Sequence, residues 1–505
     1  MSTIKGRIFR ASVWISVSRG AVNLLMALST IVLARLLLPT DFGLVALGTS
    51  MLVVLQAFTE LSLAQALIHT REPTRDHYNT AWTLNTARGL LIGLGFALAG
   101  PFAASVYHEP RLENIMLALG VNAALGGLKN PRMVMLQKQL NFHQEAIRTI
   151  SAMLLQVAVS IAVAVAFRSY WALVAGIMAG TVSTVILSYT LVPFRPSPGW
   201  KHLRELWSFS VWMSLGQIVN TLNYRFDQLL VGSYVGRAEL GLYTVGSRLS
   251  VIPGQEIIRP LTNTLFPAFR LTADDPVRLR RAYQRVQAVV TAVALPASVG
   301  FALVADPVVR IALGEKWLGA IPVIQLMAAI YSIDTFGSLV TPLAMAKGQT
   351  RLLFIRNVQK FAIRVPMIVA GMLLGGFMGV LYSRMLAGAV TVGIDMTMVK
   401  RVAGVSVPDQ FRANLRAIVS SMAMVSLVLL FQHLAPFADD KEGLYMRLGS
   451  TVLLGAFVYL GTSWLLWRIA GCPDGPETEA IGASIKALKA VRSKFIGARD
   501  RSVAG

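Results

Sequence analysis

Long apolar stretches separated by short polar ones constrain this chain more than any motif it carries. A helix that crosses a bilayer needs roughly 20 mostly apolar residues. Fourteen segments reach that length, at about 11–34, 42–66, 81–106, 112–129, 147–167, 171–193, 207–231, 240–267, 283–305, 318–345, 353–374, 377–399, 412–434 and 445–467. The eighth contains Pro253 and Pro260 and is expected to be kinked. Composition agrees with this count. Of 505 residues, 55% are hydrophobic and only 14% charged, against about 25% charged in a soluble domain. So few polar side chains cannot cover a soluble protein of this size. The expected fold class is an all-α polytopic membrane protein with about fourteen transmembrane helices.

The charge is lopsided, with 47 Lys and Arg against 25 Asp and Glu, a net +22. A basic balance often marks a nucleic-acid binder, but such a protein needs a solvated charged surface that this chain lacks. The alternative is a membrane protein whose basic residues gather on one side. With the N-terminus placed in the cytoplasm, 33 of the 47 basic residues fall in cytoplasmic segments, eight in outside loops and six within spans. Dropping or adding one helix would scramble that asymmetry, so both termini are expected in the cytoplasm. Lys5, Arg7 and Arg10 precede an apolar run that continues to about Leu33. That is too long for a signal-peptide core of about 7–15 residues, and the run reads as a retained first helix. Cys472 is the single cysteine, which excludes an intramolecular disulfide, a CxxC zinc site and an iron–sulfur cluster. The histidines form no HxxxH pair, so no metal site is expected.

All loops between the spans are short, which excludes a large inserted catalytic domain. After Pro476, Ile481, Ile485, Leu488, Val491 and Phe495 recur at helical spacing among Lys486, Lys489, Arg492 and Lys494. This reads either as a basic amphipathic helix on an anionic membrane surface or as a solvated tail. An internal repeat is also visible. Ser12-Val13-Trp14-Ile15-Ser16 opens the first span and Ser210-Val211-Trp212-Met213-Ser214 the seventh, 198 residues on. At the same offset, Asp41-Phe42-Gly43-Leu44 matches Glu239-Leu240-Gly241-Leu242. Six helices separate the copies, so both run the same way through the membrane. The expected organisation is a six-helix lobe over 1–200, a second over 201–404, two further helices over 405–470 and a basic cytoplasmic tail over 471–505. Transporters often bind substrate between such repeats and rock one against the other.

The string Leu33-Ala34-Arg35-Leu36-Leu37-Leu38-Pro39-Thr40-Asp41-Phe42-Gly43-Leu44 resembles the start of polysaccharide transporters of the multidrug/oligosaccharidyl-lipid/polysaccharide flippase superfamily. Leu240-Gly241-Leu242-Tyr243, followed by Pro253, Pro260 and Phe266-Pro267, is similar to the same proteins. The likeness is to the exopolysaccharide exporters of the colanic acid and succinoglycan type, and it covers nearly the whole chain. It implies an inner-membrane flippase for undecaprenyl-diphosphate-linked oligosaccharide units, working through inward-open and outward-open states. It further implies a cavity lined by the first, second, seventh and eighth helices.

A charge inside the membrane is costly and marks a candidate functional site. Six basic residues fall within spans: Arg19, Arg88, Arg225, Arg248, Arg259 and Arg384. The acidic ones are Glu60, Asp227, Glu256, Asp334 and Asp395. A diphosphate-linked substrate calls for fixed cations, and the Arg fork matches phosphate oxygens. On the four helices that the resemblance implicates, the cavity candidates are Arg19, Asn23, Glu60, Asn220, Asn223, Arg225, Asp227, Arg248 and Arg259. Arg19 and Asn23 lie one turn apart, and Arg248 and Arg259 about three turns apart, so each pair shares a helix face. The plainer reading pairs Arg225 with Asp227, pairs Glu256 with Arg259, and lets Arg259 reach the inner surface. Asp334 and Asp395 are candidates for proton or sodium coupling, against a purely structural role. Trp14, Trp171, Trp200 and Trp212 read as interface anchors.

No Walker A loop, nucleophile elbow, HExxH or dinucleotide fingerprint occurs. No enzyme activity and no cofactor is expected; energy would come from H+ or Na+ coupling, from the concentration gradient of the lipid-linked unit, or from its removal by polymerisation. Expected partners are the lipid-linked glycan, membrane lipids, a polysaccharide polymerase and a chain-length regulator, with no nucleic acid. The rival readings are a peptidoglycan lipid flippase, a drug/cation antiporter (usually twelve helices and an acidic cavity) and a membrane-embedded glycan polymerase or ligase.

Overall fold

The computed structural model describes residues 4–60, 63–70, 72–139, 141–435, 440–473 and 475–478, without the side chains of 4–12, 69, 206–216, 255–268, 271 and 350. The amphipathic tail expected over 481–495 therefore lies outside the described residues. Every regular element among them is helical. Hydrocarbon offers no partner to a free N–H or C=O, so apolar segments of this length close their bonds within helices. In chain order these are α1 (Ile4–Leu36), α2 (Pro39–Phe58), α3 (Leu63–His69), α4 (Arg75–Val106), α5 (Arg111–Gly127), α6 (Val134–Lys138), α7 (Phe142–Phe167), α8 (Trp171–Leu191) and α9 (Leu203–Tyr234). Then follow α10 (Arg237–Thr272), α11 (Pro276–Leu303), α12 (Ala305–Val308), α13 (Ala320–Asp334), α14 (Val340–Ala346), α15 (Thr350–Ala403), α16 (Val407–Leu434) and α17 (Lys441–Ile469). Ten described stretches are long and apolar enough to cross a membrane.

Each of the fourteen segments read from the sequence has a helical counterpart, with two departures in detail. The second span, expected over 42–66, stops at Phe58 and resumes as α3. Arg88 stops it, donating to the Gln56 carbonyl at 2.9 Å and to Thr59 Oγ1 at 3.2 Å. The tenth span divides into α13 and α14 around a 3-10 turn at Thr335–Gly337. There the buried Gln287 amide takes the Thr335 carbonyl at 3.0 Å. The eighth span is one helix, α10, which continues through Pro253 and Pro260. The eleventh and twelfth spans form α15, whose path turns at Gly375 and Gly376. Gly376 has φ +53 and ψ −134, a conformation that a side chain strongly disfavours.

The chain packs as two compact units. The first comprises 1–252, 308–327 and 351–391. Its apolar core joins Leu44 and Leu47 of α2, Leu112, Ile115 and Leu119 of α5, Val231 of α9, Leu240 of α10 and Ile368 of α15. The end of α1 is pinned by the 309–317 segment. Arg35 Nε donates to the Ala312 carbonyl at 2.9 Å, and Trp317 Nε1 to the Ala34 carbonyl at 2.8 Å. The outward faces are apolar: Leu94, Leu98 and Phe102 of α4 are 59, 73 and 72% exposed. Such a stripe on a helix otherwise packed into a core is a lipid-facing surface.

The second unit comprises 253–307, 328–350 and 392–505. Met424 and Val428 of α16 pack with Val458 and Tyr459 of α17. The Tyr459 hydroxyl donates to the Ala292 carbonyl of α11 at 2.6 Å. These units follow packing density, whereas the lobes expected over 1–200 and 201–404 follow the sequence repeat.

Inside the first unit the repeat is visible as geometry. α1 ends at Leu36 and α9 at Tyr234; α2 begins at Pro39 and α10 at Arg237, 198 residues apart in both cases. The two matched motifs touch. A Cβ added at Gly43 would meet the Arg237 carbonyl, its carbon at 2.7 Å. A Cβ added at Gly241 would meet the Pro39 carbonyl, its carbon also at 2.7 Å. The contact maps onto itself when the copies are exchanged, as in a two-fold interface.

Candidate functional site

The polar centre of the first unit lies where α9, α10 and the two arms of α15 meet. Asp227 is 1% exposed. Its Oδ2 accepts from the Tyr243 hydroxyl at 2.8 Å, from Arg364 Nη2 at 2.7 Å and from Arg384 Nη1. Arg384 is itself buried, and its Nε lies 3.3 Å from the Met327 sulfur. Asp227 Oδ1 and Arg364 Nε make no hydrogen bond. Arg364 stands 10 residues before Leu374, and Arg384 8 residues after Gly376. At 1.5 Å per residue both are ~12–15 Å from the turn of α15.

Arg225 does not pair with Asp227. Two residues apart on a helix, they point about 200° from one another. Arg225 Nη1 donates instead to Gln228 Oε1 at 2.7 Å, and Ser50 Oγ donates to the same oxygen at 2.8 Å. Arg248 of α10 is exposed, with Nη1 3.5 Å from Thr30 Oγ1 of α1. It lies within range of the Arg225 charge. Among the described residues, Arg364 and Arg384 thus flank Asp227, whereas Arg225 and Arg248 hold uncharged partners on α9 and α1. The other α9 candidates differ in setting: Asn220 is half-buried, whereas Asn223 is buried and donates to the Asn357 carbonyl at 2.9 Å.

The six intramembrane cations read from the sequence do not include Arg364. Arg364 lies some four turns inside α15 and belongs with the intramembrane cations. Its membership of the span 353–374 was the available signal. Tyr243 was also missed, because nothing in the sequence ties its hydroxyl to a carboxylate one element away.

Arg19 is exposed and Asn23 half-buried on α1. Beside Arg19, nothing lies within 4 Å of the Cβ position of Gly20. Glu60 pairs with Arg88 at 3.2 Å. That pair stands beside a cavity of about 410 Å³ lined by Gln56, Asn85, Arg88, Asn122 and Lys129 among others. Crowding by protein pushes the Lys129 ammonium below its ordinary pKa, and Arg148 adds to this. The side chains of Glu256, Arg259 and Trp212 lie outside the described residues.

In the second unit, Asp334 ends α13 at the 3-10 turn. Asp395, 2% exposed, reaches the same turn: a Cβ at Gly337 would stand 2.8 Å from its Cγ. The two coupling candidates are brought to one helix break. Gly337→Ala is expected to displace the Asp395 carboxylate and cost about 1–3 kcal/mol, read as a lower unfolding temperature in detergent. Unchanged stability would mean that the turn has room for a methyl group.

The profile of the family described as "Polysaccharide biosynthesis protein" matches residues 32–322. The chain is 25% identical over 384 residues to the lipopolysaccharide biosynthesis protein WzxC of Escherichia coli (strain K12), covering 74% of this chain and 77% of that one. It is 25% identical over 328 residues to the succinoglycan biosynthesis transport protein ExoT of Rhizobium meliloti (strain 1021), covering 64% and 66%. Among solved structures, the lipid II flippase MurJ in an inward closed conformation matches with a TM-score of 0.71 at 12% identity, covering 90% of this chain and 99% of that one. An inward-facing multidrug transporter of the MATE family matches with a TM-score of 0.59 at 15% identity, over 77% and 98%. The fold is that of these polytopic transporters. With more than half of its 505 residues inside the family match, and with the all-helical membrane architecture that the matched structures share, the chain belongs to the polysaccharide biosynthesis protein family.

Proposed function

We propose that this protein is a flippase that carries undecaprenyl-diphosphate-linked oligosaccharide units across the bacterial inner membrane, for exopolysaccharide or lipopolysaccharide assembly. It works by alternating access around a cationic cavity. The observation that carries this reading is the set of arginines among the described residues of the first unit: Arg364 and Arg384 on the Asp227 carboxylate, with Arg225 and Arg248 on uncharged partners. Arginine facing lipid at such depth would be costly, so an exposed, weakly held Arg248 fits an aqueous cavity that takes an anion. A carrier of cationic drugs would want the opposite sign. The distribution of basic residues supports a cytoplasmic position for both termini, and Asp334 and Asp395 are the candidates for proton or sodium coupling. A polymerase and a chain-length regulator would act next.

Arg248→Ala and Arg19→Ala should each lower polymer export at least about tenfold, the loss of one charge-assisted contact worth about 1.5–3 kcal/mol. Membrane levels of the protein should stay normal. Normal export by both variants would sink the cationic cavity. Rescue of cells depleted of their lipid II flippase, together with failure to restore polymer export, would favour that rival instead.

A further inference from the structure

We propose that the cavity of about 410 Å³ beside the Glu60–Arg88 pair binds a small hydroxyl-rich anion of the sugar-phosphate class. It lies within the first repeat, among α2, α3, α4, α5 and the segment 129–137. It shares no residue with the Asp227 centre of α9, α10 and α15, and its occupation does not depend on the flippase reading. Its volume falls in the range of small-molecule sites, about 300–1,000 Å³.

The charge of the wall is uneven. Arg88 lines the cavity and is matched by Glu60 at 3.2 Å. Glu145 also lines it and is matched by Arg148. Lys129 is the remaining charged residue of the wall, and its ammonium makes no hydrogen bond or ion pair among the described residues. Glu145 and Arg148 act on it with opposite signs. A half-buried ammonium without a mate suits an anionic oxygen. The uncharged part of the wall is made of carboxamides. Gln56, Asn85 and Asn122 line the cavity, and none of the three makes a side-chain hydrogen bond among the described residues. Asn122 is 8% exposed, and its Oδ1 is shut off from water without a partner. Buried polar atoms are nearly always bonded, and one that is not points to a missing partner. A carboxamide offers donors and an acceptor, which matches a hydroxyl group, donor and acceptor in one. No aromatic ring lines the cavity, so a sugar is held here by hydrogen bonds and charge rather than by stacking.

The frame is preformed. Gly89 and Gly127 bring α4 and α5 into backbone contact. A Cβ added at Gly127 would lie 2.6 Å from the Asn85 carbonyl oxygen, and one at Gly89 2.8 Å from that of Ala123. Asn130, next to Lys129, is tied to α8 through Nδ2, which donates to the Ser188 and Val192 carbonyls at 2.9 and 2.7 Å. Binding therefore costs little ordering of the wall.

The experiment is calorimetric titration of the purified full-length protein, in phosphatidylcholine nanodiscs, with glucose 1-phosphate and, separately, galactose 1-phosphate. Inorganic phosphate and glucose are the controls. The expected result is saturable binding of a hexose phosphate at one site per chain, at least about tenfold tighter than either control. Lys129→Gln should reduce the hexose phosphate to the affinity of glucose. Asn122→Leu should weaken it at least about fivefold, without lowering the unfolding temperature of the ligand-free protein, since the carboxamide has no partner to lose. Competition by undecaprenyl-diphosphate-linked glucose assigns the site to a lipid head group; failure to compete assigns it to a free sugar phosphate. No saturable binding of either hexose phosphate overturns the proposal. Binding that both variants retain, or that inorganic phosphate matches, overturns it too.

Discussion

Asp227→Ala is expected to cost about 3–5 kcal/mol of stability, because it leaves the buried Arg384 and the half-buried Arg364 with no carboxylate between them. The reading is a lower unfolding temperature in detergent and less folded protein in the membrane. The penalty comes from uncompensated charge rather than from the lost hydrogen bonds alone. The triple variant Asp227→Leu, Arg364→Met, Arg384→Met should therefore recover stability to within about 1–2 kcal/mol of the parent, since well-packed apolar replacement of a buried ion cluster is often neutral. If the two arginines also serve an anionic substrate, the triple variant should be folded and unable to export. Stability unchanged in Asp227→Ala would mean that the guanidinium groups find other partners, and the cluster would lose its structural role. Full export by the folded triple variant would remove Arg364 and Arg384 from the substrate path.

The sequence revealed the spans well because lipid enforces one solution on an apolar run. It gave even the division of α15, since Gly375 and Gly376 interrupt the run at the right place. Breaks imposed from outside a run were not legible. Nothing local marks Thr59 as the end of a helix; Arg88, thirty residues on, makes it one. Gln287 does the same to Thr335 from α11. The candidate site follows the same rule. Arg225 and Arg248 stood out as intramembrane charges, but their partners did not. Asp227 looked like the mate of Arg225 by proximity in sequence. Helical geometry sends the two apart and hands Asp227 to α15. His77 and His202, 125 residues apart, stack across two helix starts, a contact that no spacing motif announces.

The same logic gives the prediction with the widest reach. Gly43→Val and Gly241→Val are expected to have equal and severe effects, though they lie 198 residues apart. Each glycine faces the first residue of the other copy's helix, Arg237 for Gly43 and Pro39 for Gly241. In both cases the atom in the way is a backbone carbonyl, which cannot swing aside as a side chain can. Relief requires the starts of α2 and α10 to separate. Overpacking of this kind costs about 1–3 kcal/mol per site, sometimes more. Because the two substitutions strain one contact, their costs should not add: once the helices have parted for the first, the second should cost little further. Export by each single variant, and by the double, should fall to a similar low level with protein still in the membrane. A large asymmetry between the two, or full additivity in the double variant, would show that the copies do not share one interface. The matched Gly43 and Gly241 motifs would then be a coincidence of two helix starts rather than a working repeat.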